Sequence, residues 1–184
     1  MDGNTFSRKE RLNKLENTIG ISENEKMARE TNKRLELKRL PNGTLIPTED
    51  AIILIHDMII EDRKSLGKED PISIRDRGLI RHLCDTLTDR AHKYKENQRE
   101  NALYVATETF YYIACEHPFT EGNKSTAYVS ALFLLNINLS LGKPNLLDSP
   151  PKEAEEIVKL ADAGKEPSEV RKLIKEFLQK EISA

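Results

Sequence analysis

The chain has 184 residues, a length that fits a single domain with one well-filled core. Its 29 Lys and Arg residues nearly balance its 31 Asp and Glu residues, and no basic face interleaved with aromatic residues is present, which argues against nucleic acid as a partner. The two cysteines, Cys84 and Cys115, have neither the spacing of a zinc site nor the density of a secreted disulfide scaffold, so a reduced, cytoplasmic protein is expected.

The N-terminal part of the chain, residues 1–44, is predicted to be a charged helical extension that ends in a hairpin. Its opening stretch, MDGNTFSRKERLNKLENT, lacks the apolar core of a signal peptide, so none is expected. Asn42 and Gly43 stand between short apolar segments and form a turn signal, which predicts a short β-hairpin near residues 35–46. No other segment shows the alternation of a strand, and the predicted fold class is therefore all-α.

Residues 45–184 are predicted to form the main helical domain, and its first helix starts after Thr48. The Thr48 hydroxyl can accept a hydrogen bond from a free first-turn amide, and the acids Glu49 and Asp50 favour the positive end of the helix dipole. The stretch that follows, AIILIHDMII, is apolar on nearly all sides. We therefore expect this helix to lie deep in the protein.

The rest of the chain continues with the period of helices. Four further segments are predicted to be helical: about Asp76 to Tyr94, about Asn97 to Glu116, about Lys152 to Ala163 and about Ser168 to Ile182. Between the second and third of these lies an apolar run from Ala127 to Leu141, which contains Ser130, Asn136, Asn138 and Ser140. This run is shorter than the ~20 residues needed to span a bilayer, so it predicts a buried helix of a soluble protein and no membrane partner.

The stretch EHPFTEGNKSTA, residues 116–127, joins two of the predicted helices. Pro118 disfavours the helical conformation for the residue before it, so the first helix should end at His117 and hold the imidazole at its end. Phe119 is predicted to anchor the loop in the core, so that the polar neighbours of Phe119 point outward. This combination predicts a functional site rather than an ordinary connection.

The polar residues of the same loop predict a phosphate site. Gly122 lets the backbone approach a ligand closely, and the amides from Gly122 to Ser125 are first-turn donors at the positive end of the next helix, where anions bind. Glu121 could hold a magnesium ion, which favours one carboxylate together with phosphate oxygens. His117, with an ordinary pKa of ~6.5, is the natural base for an attacking hydroxyl. Together these groups predict the transfer of a phosphorus group from a nucleotide.

HPFTEGNK resembles the active-site motif of the Fic/Doc family, and in particular of its death-on-curing (Doc) branch. The family pattern is HPF, any residue, Asp or Glu, Gly or Ala, and Asn, followed by Gly-Arg in adenylylating Fic enzymes or by Lys-Arg in Doc-type kinases. Lys124 at the discriminating position is similar to the Doc pattern. The segments TEDAIILIHDMIIED, SIRDRGLIRHLCD and EIVKLADAGKEPSEVRKLI also resemble the family, in its order, so the resemblance covers about residues 45–182 and implies a Fic/Doc-like helical bundle.

The resemblance also implies a role for each loop residue. His117 would deprotonate a protein hydroxyl, Glu121 would bind magnesium, and Asn123 would orient phosphate and loop. Gly122 and the amides after it would cradle the phosphates, and Lys124 would exclude the nucleotide pose that presents the α-phosphate. The implied reaction is transfer of the γ-phosphoryl group of ATP to a Ser or Thr hydroxyl of a protein, with a translation elongation factor as the family precedent. The implied setting is the toxin half of a toxin-antitoxin pair, with a small antitoxin protein as a second partner.

Ser125 departs from the family pattern, which has arginine at this position. A guanidinium there would clamp phosphate oxygens in bidentate fashion, whereas serine offers a single neutral hydrogen bond. Loss of one such contact typically lowers the rate by about 100- to 1000-fold. Two alternatives therefore stand beside the kinase: a nucleotidyltransferase of the AMPylating type, and a weakened homologue that binds nucleotide or protein. A helical interaction domain without a nucleotide site is a third.

Other residues that could carry chemistry are predicted to be structural. None of the remaining histidines has ligand spacing with another, so satisfied or solvated rings are expected for His56, His82 and His92. The aromatic residues of the helix before the loop have helical spacing and are predicted to belong to the core or its rim rather than to an adenine platform: Tyr104, Phe110, Tyr111 and Tyr112. Arg75 and Asp76 are predicted to form an ion pair or a helix cap.

Overall fold

The structure, a computed structural model, describes residues 36–65, 73–91, 97–141 and 150–183. Within these ranges the chain forms two short strands and six helices, which confirms the predicted all-α fold with a small hairpin. The strands are β1 (Leu37–Arg39) and β2 (Leu45–Pro47). The helices are α1 (Glu49–Ser65), α2 (Arg77–Arg90), α3 (Gln98–Glu116), α4 (Asn123–Leu139), α5 (Lys152–Asp162) and α6 (Pro167–Ser183).

The hairpin forms at the predicted turn. β1 and β2 pair in antiparallel fashion, with Lys38 opposite Ile46. Gly43 has a φ of +86°, a left-handed conformation that glycine adopts without steric cost. The side chain of Asn42 accepts a hydrogen bond from the Thr44 amide at 3.1 Å, which closes the turn. The predicted helical extension before the hairpin lies outside the described residues.

Asn138, one of the polar residues in the apolar run, attaches the hairpin to α4. Its Oδ1 accepts from the Leu45 amide at 2.7 Å, and its Nδ2 donates to the Leu45 carbonyl at 2.9 Å. The amide side chain thus satisfies both backbone groups of Leu45, as a neighbouring strand would. The polar residue therefore has a structural role within an otherwise apolar helix.

Side-chain caps fix the beginnings of three helices, which is why their starts agree closely with the prediction. In each case a side-chain oxygen accepts from a first-turn amide: Thr48 from Ala51 at 3.2 Å, Asp76 from Gly78 at 2.8 Å, and Asn97 from Glu100 at 3.1 Å. Asp76 thus acts as a cap, one of its two predicted roles. The predicted continuation of α2 toward Tyr94 falls on residues outside the described ranges.

Helices α3 and α4 pack along each other and form the centre of the core. Both are buried on most of their surface, with fully or nearly fully buried side chains at Leu103, Ala106, Phe110, Ile113, Ala127, Val129, Phe133 and Leu134. Among the described helices, none is long and apolar enough to cross a membrane. The loop that links α3 to α4 is thus held at each end by a helix that is buried in the core.

Helix α6 is attached to α3 by an ion pair at the core boundary. Arg171 Nε lies 2.9 Å and 3.0 Å from the two carboxylate oxygens of Glu108. The guanidinium also stacks over the ring of Tyr111, 3.6 Å from its centroid. Tyr111 is buried, and Tyr104 and Tyr112 are half-buried, so these rings belong to the packing between helices, as predicted.

Candidate active site

The HPFTEGNK loop leaves the C-terminal end of α3 at His117. His117 is the C-cap residue of α3 and has left-handed backbone angles, φ +52° and ψ +59°. Pro118 follows it and is buried. The imidazole is thus held at a helix end, as predicted, and its side chain is 33% exposed.

Backbone hydrogen bonds fasten the loop to the segment before α2. The Pro118 carbonyl accepts from the amides of Arg75, at 2.8 Å, and Asp76, at 2.9 Å. The Thr120 amide donates to the Ser73 carbonyl at 3.1 Å, and the two hydroxyl groups of these residues are also hydrogen-bonded. The loop is therefore held from both ends by strand-like pairing rather than by the helices alone.

Phe119 anchors the middle of the loop, as predicted. Its ring is 1% exposed and stacks on the His56 ring of α1, with centroids 3.8 Å apart and an angle of 8° between the planes. His56 was not predicted to contact the loop, because the sequence around a lone histidine in an apolar helix does not indicate which distant segment will pack on it. Through this stacking, α1 packs against the buried side of the loop.

Gly122 is required by the packing beneath the loop. Its φ is +76°, and a Cβ at this position would lie 2.9 Å from Ile60 Cδ1 and 3.4 Å from His56 Cε1. A side chain would therefore clash with α1 and strain the backbone. The glycine was predicted to allow close approach of a ligand, whereas the contacts that exclude a side chain here come from Ile60 and His56 of α1.

Asn123 binds the backbone of the loop from within. The Asn123 side chain is buried; its Oδ1 accepts from the Phe119 amide at 3.0 Å, and its Nδ2 donates to the Phe119 carbonyl at 2.7 Å. These two bonds account for the predicted role of Asn123 in orienting the loop. The predicted role toward phosphate remains a prediction.

Replacing Asn123 by alanine is expected to lower the free energy of unfolding by about 2 kcal/mol, because both Phe119 backbone groups would lose a buried partner. Asn123→Asp keeps the acceptor for the Phe119 amide and should have an intermediate effect. Chemical denaturation of the three proteins measures the difference. Equal stability of wild type and Asn123→Ala would show that the two bonds do not hold the loop.

His56 is a fully buried, neutral ring behind the loop. Its Nδ1 lies 3.1 Å from the Thr126 hydroxyl, while Nε2 has no hydrogen-bond partner among the described residues. Burial, reinforced by the charge of Arg63, lowers the pKa of His56 from 6.5 to about 4. A proton on this ring would have to be accommodated inside the core, against Phe119 and Gly122.

Stability is therefore expected to fall as the pH drops from about 6.5 to about 4. The unfolded chain takes up a proton at His56 near pH 6.5, whereas the folded chain resists it until its lowered pKa of about 4. The contribution is complete above pH 6.5 and is lost through this window, by about 3 kcal/mol. Denaturation of wild type and His56→Phe over pH 4 to 7 measures it, with exposed His82→Asn as control. Parallel curves for wild type and His56→Phe would refute the assignment.

The N-terminus of α4 presents free backbone donors beside a lysine. The first backbone bond from the helix to the loop runs from the Thr126 amide to the Gly122 carbonyl, so the amides of Asn123, Lys124 and Ser125 precede the hydrogen-bond ladder. Gly122 is the N-cap residue and offers them no side chain. The first turn contains no acidic residue, and Lys124 adds a positive charge to the positive end of the dipole. This chemistry fits an anion such as phosphate.

Glu121 lies exposed immediately before this helix start. Within the described residues, no group of three or more His, Cys, Asp or Glu side chains could hold a metal ion. A magnesium ion at Glu121 would thus take its other ligands from phosphate oxygens and water, which is a usual arrangement for magnesium. The donor set fits magnesium that arrives with a nucleotide and not a resident metal site.

The imidazole of His117 has a partner on α5. Its Nε2 lies 3.4 Å from Oδ1 of Asp162, the last residue of that helix. The two residues are 45 positions apart in the chain. Sequence reasoning missed Asp162, since nothing in an amphipathic helix indicates which distant loop its end will meet.

The structure places all six predicted site residues on one short connection. His117 ends α3, Glu121 and Gly122 lie in the loop, and Asn123, Lys124 and Ser125 open α4. Lys124 and Ser125 are half-buried in the first turn. A histidine, a carboxylate and a set of helix-start donors thus lie on one interhelical connection of an all-α bundle, a class of arrangement whose groups can bind an anion and accept a proton.

Comparison with known families agrees with this class. The model of the Fic/DOC family matches residues 46–135, which run from β2 through most of α4 and include the whole HPFTEGNK loop. No match was found among curated proteins or among solved structures. Residues 46–135, just under half of the chain, are thus similar to the Fic/DOC family, whose members are typically transferases that act on proteins. The match does not separate the Doc branch from the adenylylating branch.

Proposed function

We propose that the protein is a Doc-type transferase that moves the γ-phosphoryl group of ATP to a Ser or Thr hydroxyl of a target protein. The observation that carries the proposal is the start of α4, where the first-turn amides precede the helical hydrogen bonds, Lys124 adds a positive charge and the first turn contains no acidic residue. A lysine at this end of a helix is unfavourable by itself, by about 0.3 to 1 kcal/mol, and an anion bound there reverses the sign.

His117 supplies the base in this proposal. It takes the proton of the target hydroxyl as the oxygen attacks the γ-phosphorus; the bond to the β-γ bridging oxygen breaks, and ADP leaves. The amides of Asn123, Lys124 and Ser125 bind phosphate oxygens, and Glu121 holds the magnesium. Bound magnesium neutralises charge on the phosphates.

Lys124 favours the γ-phosphate over the α-phosphate. In the resemblance to the Doc branch, the lysine takes the position of the glycine of adenylylating members and excludes the pose that presents the α-phosphate. A charged side chain at the second helical position also places an ammonium group beside the anion site, where it can pair with a terminal phosphate. AMPylation is the competing reaction.

Transfer from labelled ATP distinguishes these reactions. The full chain is incubated with magnesium and a cytosolic lysate and with either γ-labelled or α-labelled ATP. Protein label from γ alone supports the kinase, and label from α means nucleotidyl transfer. Label on a translation factor would extend the proposal to a toxin. So would a small protein, encoded by a neighbouring reading frame, whose removal increases the transfer of label, because that protein would be the antitoxin.

A weakened binding homologue is the second candidate, and Ser125 favours it. The first turn of α4 offers a hydroxyl where the family pattern has a guanidinium. Such a protein would bind ATP with magnesium, seen as a rise in thermal unfolding temperature, without turnover. If ATP with magnesium leaves the unfolding temperature unchanged, the protein is neither a kinase nor a nucleotide-binding homologue.

A further inference from the structure

The C-terminal end of α5 lies against the predicted catalytic base. Asp162 ends that helix with its side chain 50% exposed, and its Oδ1 lies 3.4 Å from His117 Nε2. His117 is held by its left-handed backbone at the end of α3 and by buried Pro118 after it. The imidazole therefore reaches Asp162 from a fixed backbone position, not from a flexible turn.

The Asp162 carboxylate also acts on a second group of α3. Cys115, two residues before the histidine, has a pKa raised to about 12, chiefly by burial and then by the charges of Asp162 and Glu116. Arg171 on α6 acts in the opposite direction on the same thiol. The charged groups that act on the Cys115 thiol, two residues before His117, are thus Glu116 on the same helix, Asp162 on α5 and Arg171 on α6.

The chemistry of the pair fixes which nitrogen carries the hydrogen. An ionised carboxylate only accepts hydrogen bonds, so a bond to Asp162 requires a hydrogen on Nε2. A neutral imidazole with hydrogen on Nε2 has its lone pair on Nδ1. Only a nitrogen with a free lone pair can accept a proton from a hydroxyl.

We propose that Asp162 is a positioning residue for His117: it accepts the Nε2 hydrogen and leaves Nδ1 as the atom that takes the proton of the target hydroxyl. The carboxylate then also stabilises the imidazolium formed when the proton moves to Nδ1. The proton passes from the hydroxyl oxygen to Nδ1 while the oxygen bonds to phosphorus and ADP departs. The catalytic meaning of the contact rests on the proposed transferase function, but the contact itself does not.

The pairing is tested first without any reaction, by nuclear magnetic resonance of the histidine ring nitrogens in the full chain. The wild type should show hydrogen on Nε2 and a lone pair on Nδ1 of His117 at neutral pH. Asp162→Asn should increase the fraction of His117 that carries its hydrogen on Nδ1, because the charged acceptor opposite Nε2 is lost. Glu156→Gln removes the same charge from an exposed position on the same helix and should leave the ring unchanged. A lone pair on Nε2 of the wild type, or the same distribution of hydrogen between the two ring nitrogens in Asp162→Asn as in the wild type, would overturn the inference.

Transfer from γ-labelled ATP then tests the catalytic role. Asp162→Asn should lower kcat by about tenfold with an unchanged KM for ATP, because the residue touches the base and not the nucleotide. A higher rate in Asp162→Asn would mean that the carboxylate competes with the target and would overturn the proposal. If the ring behaves as expected but no variant transfers label, the proposed function fails while the pairing stands.

Discussion

Transfer from γ-labelled ATP is expected to fall by about 100- to 10,000-fold when His117 is replaced by asparagine, the range that a positioned general base contributes. The asparagine side chain has no group that takes up a proton near neutral pH. Asparagine is also among the residues that tolerate the left-handed backbone of this position, φ +52°. The substitution thus removes the base without adding backbone strain.

Two controls make this loss interpretable. His82→Asn removes an exposed histidine on α2 and should leave the rate unchanged. Thermal unfolding of His117→Asn should match wild type, because the imidazole is partly exposed and its partner Asp162 is half-exposed as well. Unchanged transfer in His117→Asn would contradict the role of His117 as base and, with it, the proposed phosphoryl transfer.

Local sequence signals were sufficient to predict where the helices begin and where the hairpin turns. The helix starts at Thr48, Asp76 and Asn97 depend on side chains that cap amides two or three residues away, so their effect is readable from the sequence. The hairpin turn at Gly43 depends equally on near neighbours. Caps and turns of this kind can be predicted without knowing which segments pack against them.

The support beneath the loop could not be predicted, because it depends on contacts between distant segments. His56 and Phe119 stack although they lie on different elements, and Gly122 is confined by Ile60 of α1. In the sequence, His56 is only a polar residue within an apolar helix. Its burial becomes visible once the loop folds over it, and so does its lowered pKa of about 4.

Two side chains that contact the loop, Asn123 and Asp162, differ in the same way: the first could be predicted from the sequence and the second could not. The motif predicts that Asn123 orients the loop, and the structure shows how, through both backbone groups of Phe119 four residues away. Asp162 reaches His117 from a helix 45 positions further along the chain. A motif describes the residues within the loop, whereas a partner supplied by another helix requires the tertiary arrangement.

Introducing arginine at position 125 tests whether the missing guanidinium limits the enzyme. Ser125 is half-buried in the first turn of α4, beside Lys124 and the free amides. Ser125→Arg would supply the bidentate phosphate contact that serine lacks, and transfer from γ-labelled ATP should rise by about 100- to 1000-fold. Initial rates of the two proteins at saturating ATP measure the gain.

The matched variant Ser125→Lys adds the same charge without the planar fork, so its gain should be clearly smaller than that of Ser125→Arg. The double variant Ser125→Arg with His117→Asn should lose the gain, because the new contact acts on the phosphate and still needs the base. A large gain over a measurable wild-type rate would mean that the missing guanidinium limits the natural transferase, whereas activity that appears only in Ser125→Arg would favour the weakened homologue whose role is binding. A fast wild type that Ser125→Arg does not improve would show instead that Lys124 and the amides at the start of α4 suffice for transfer.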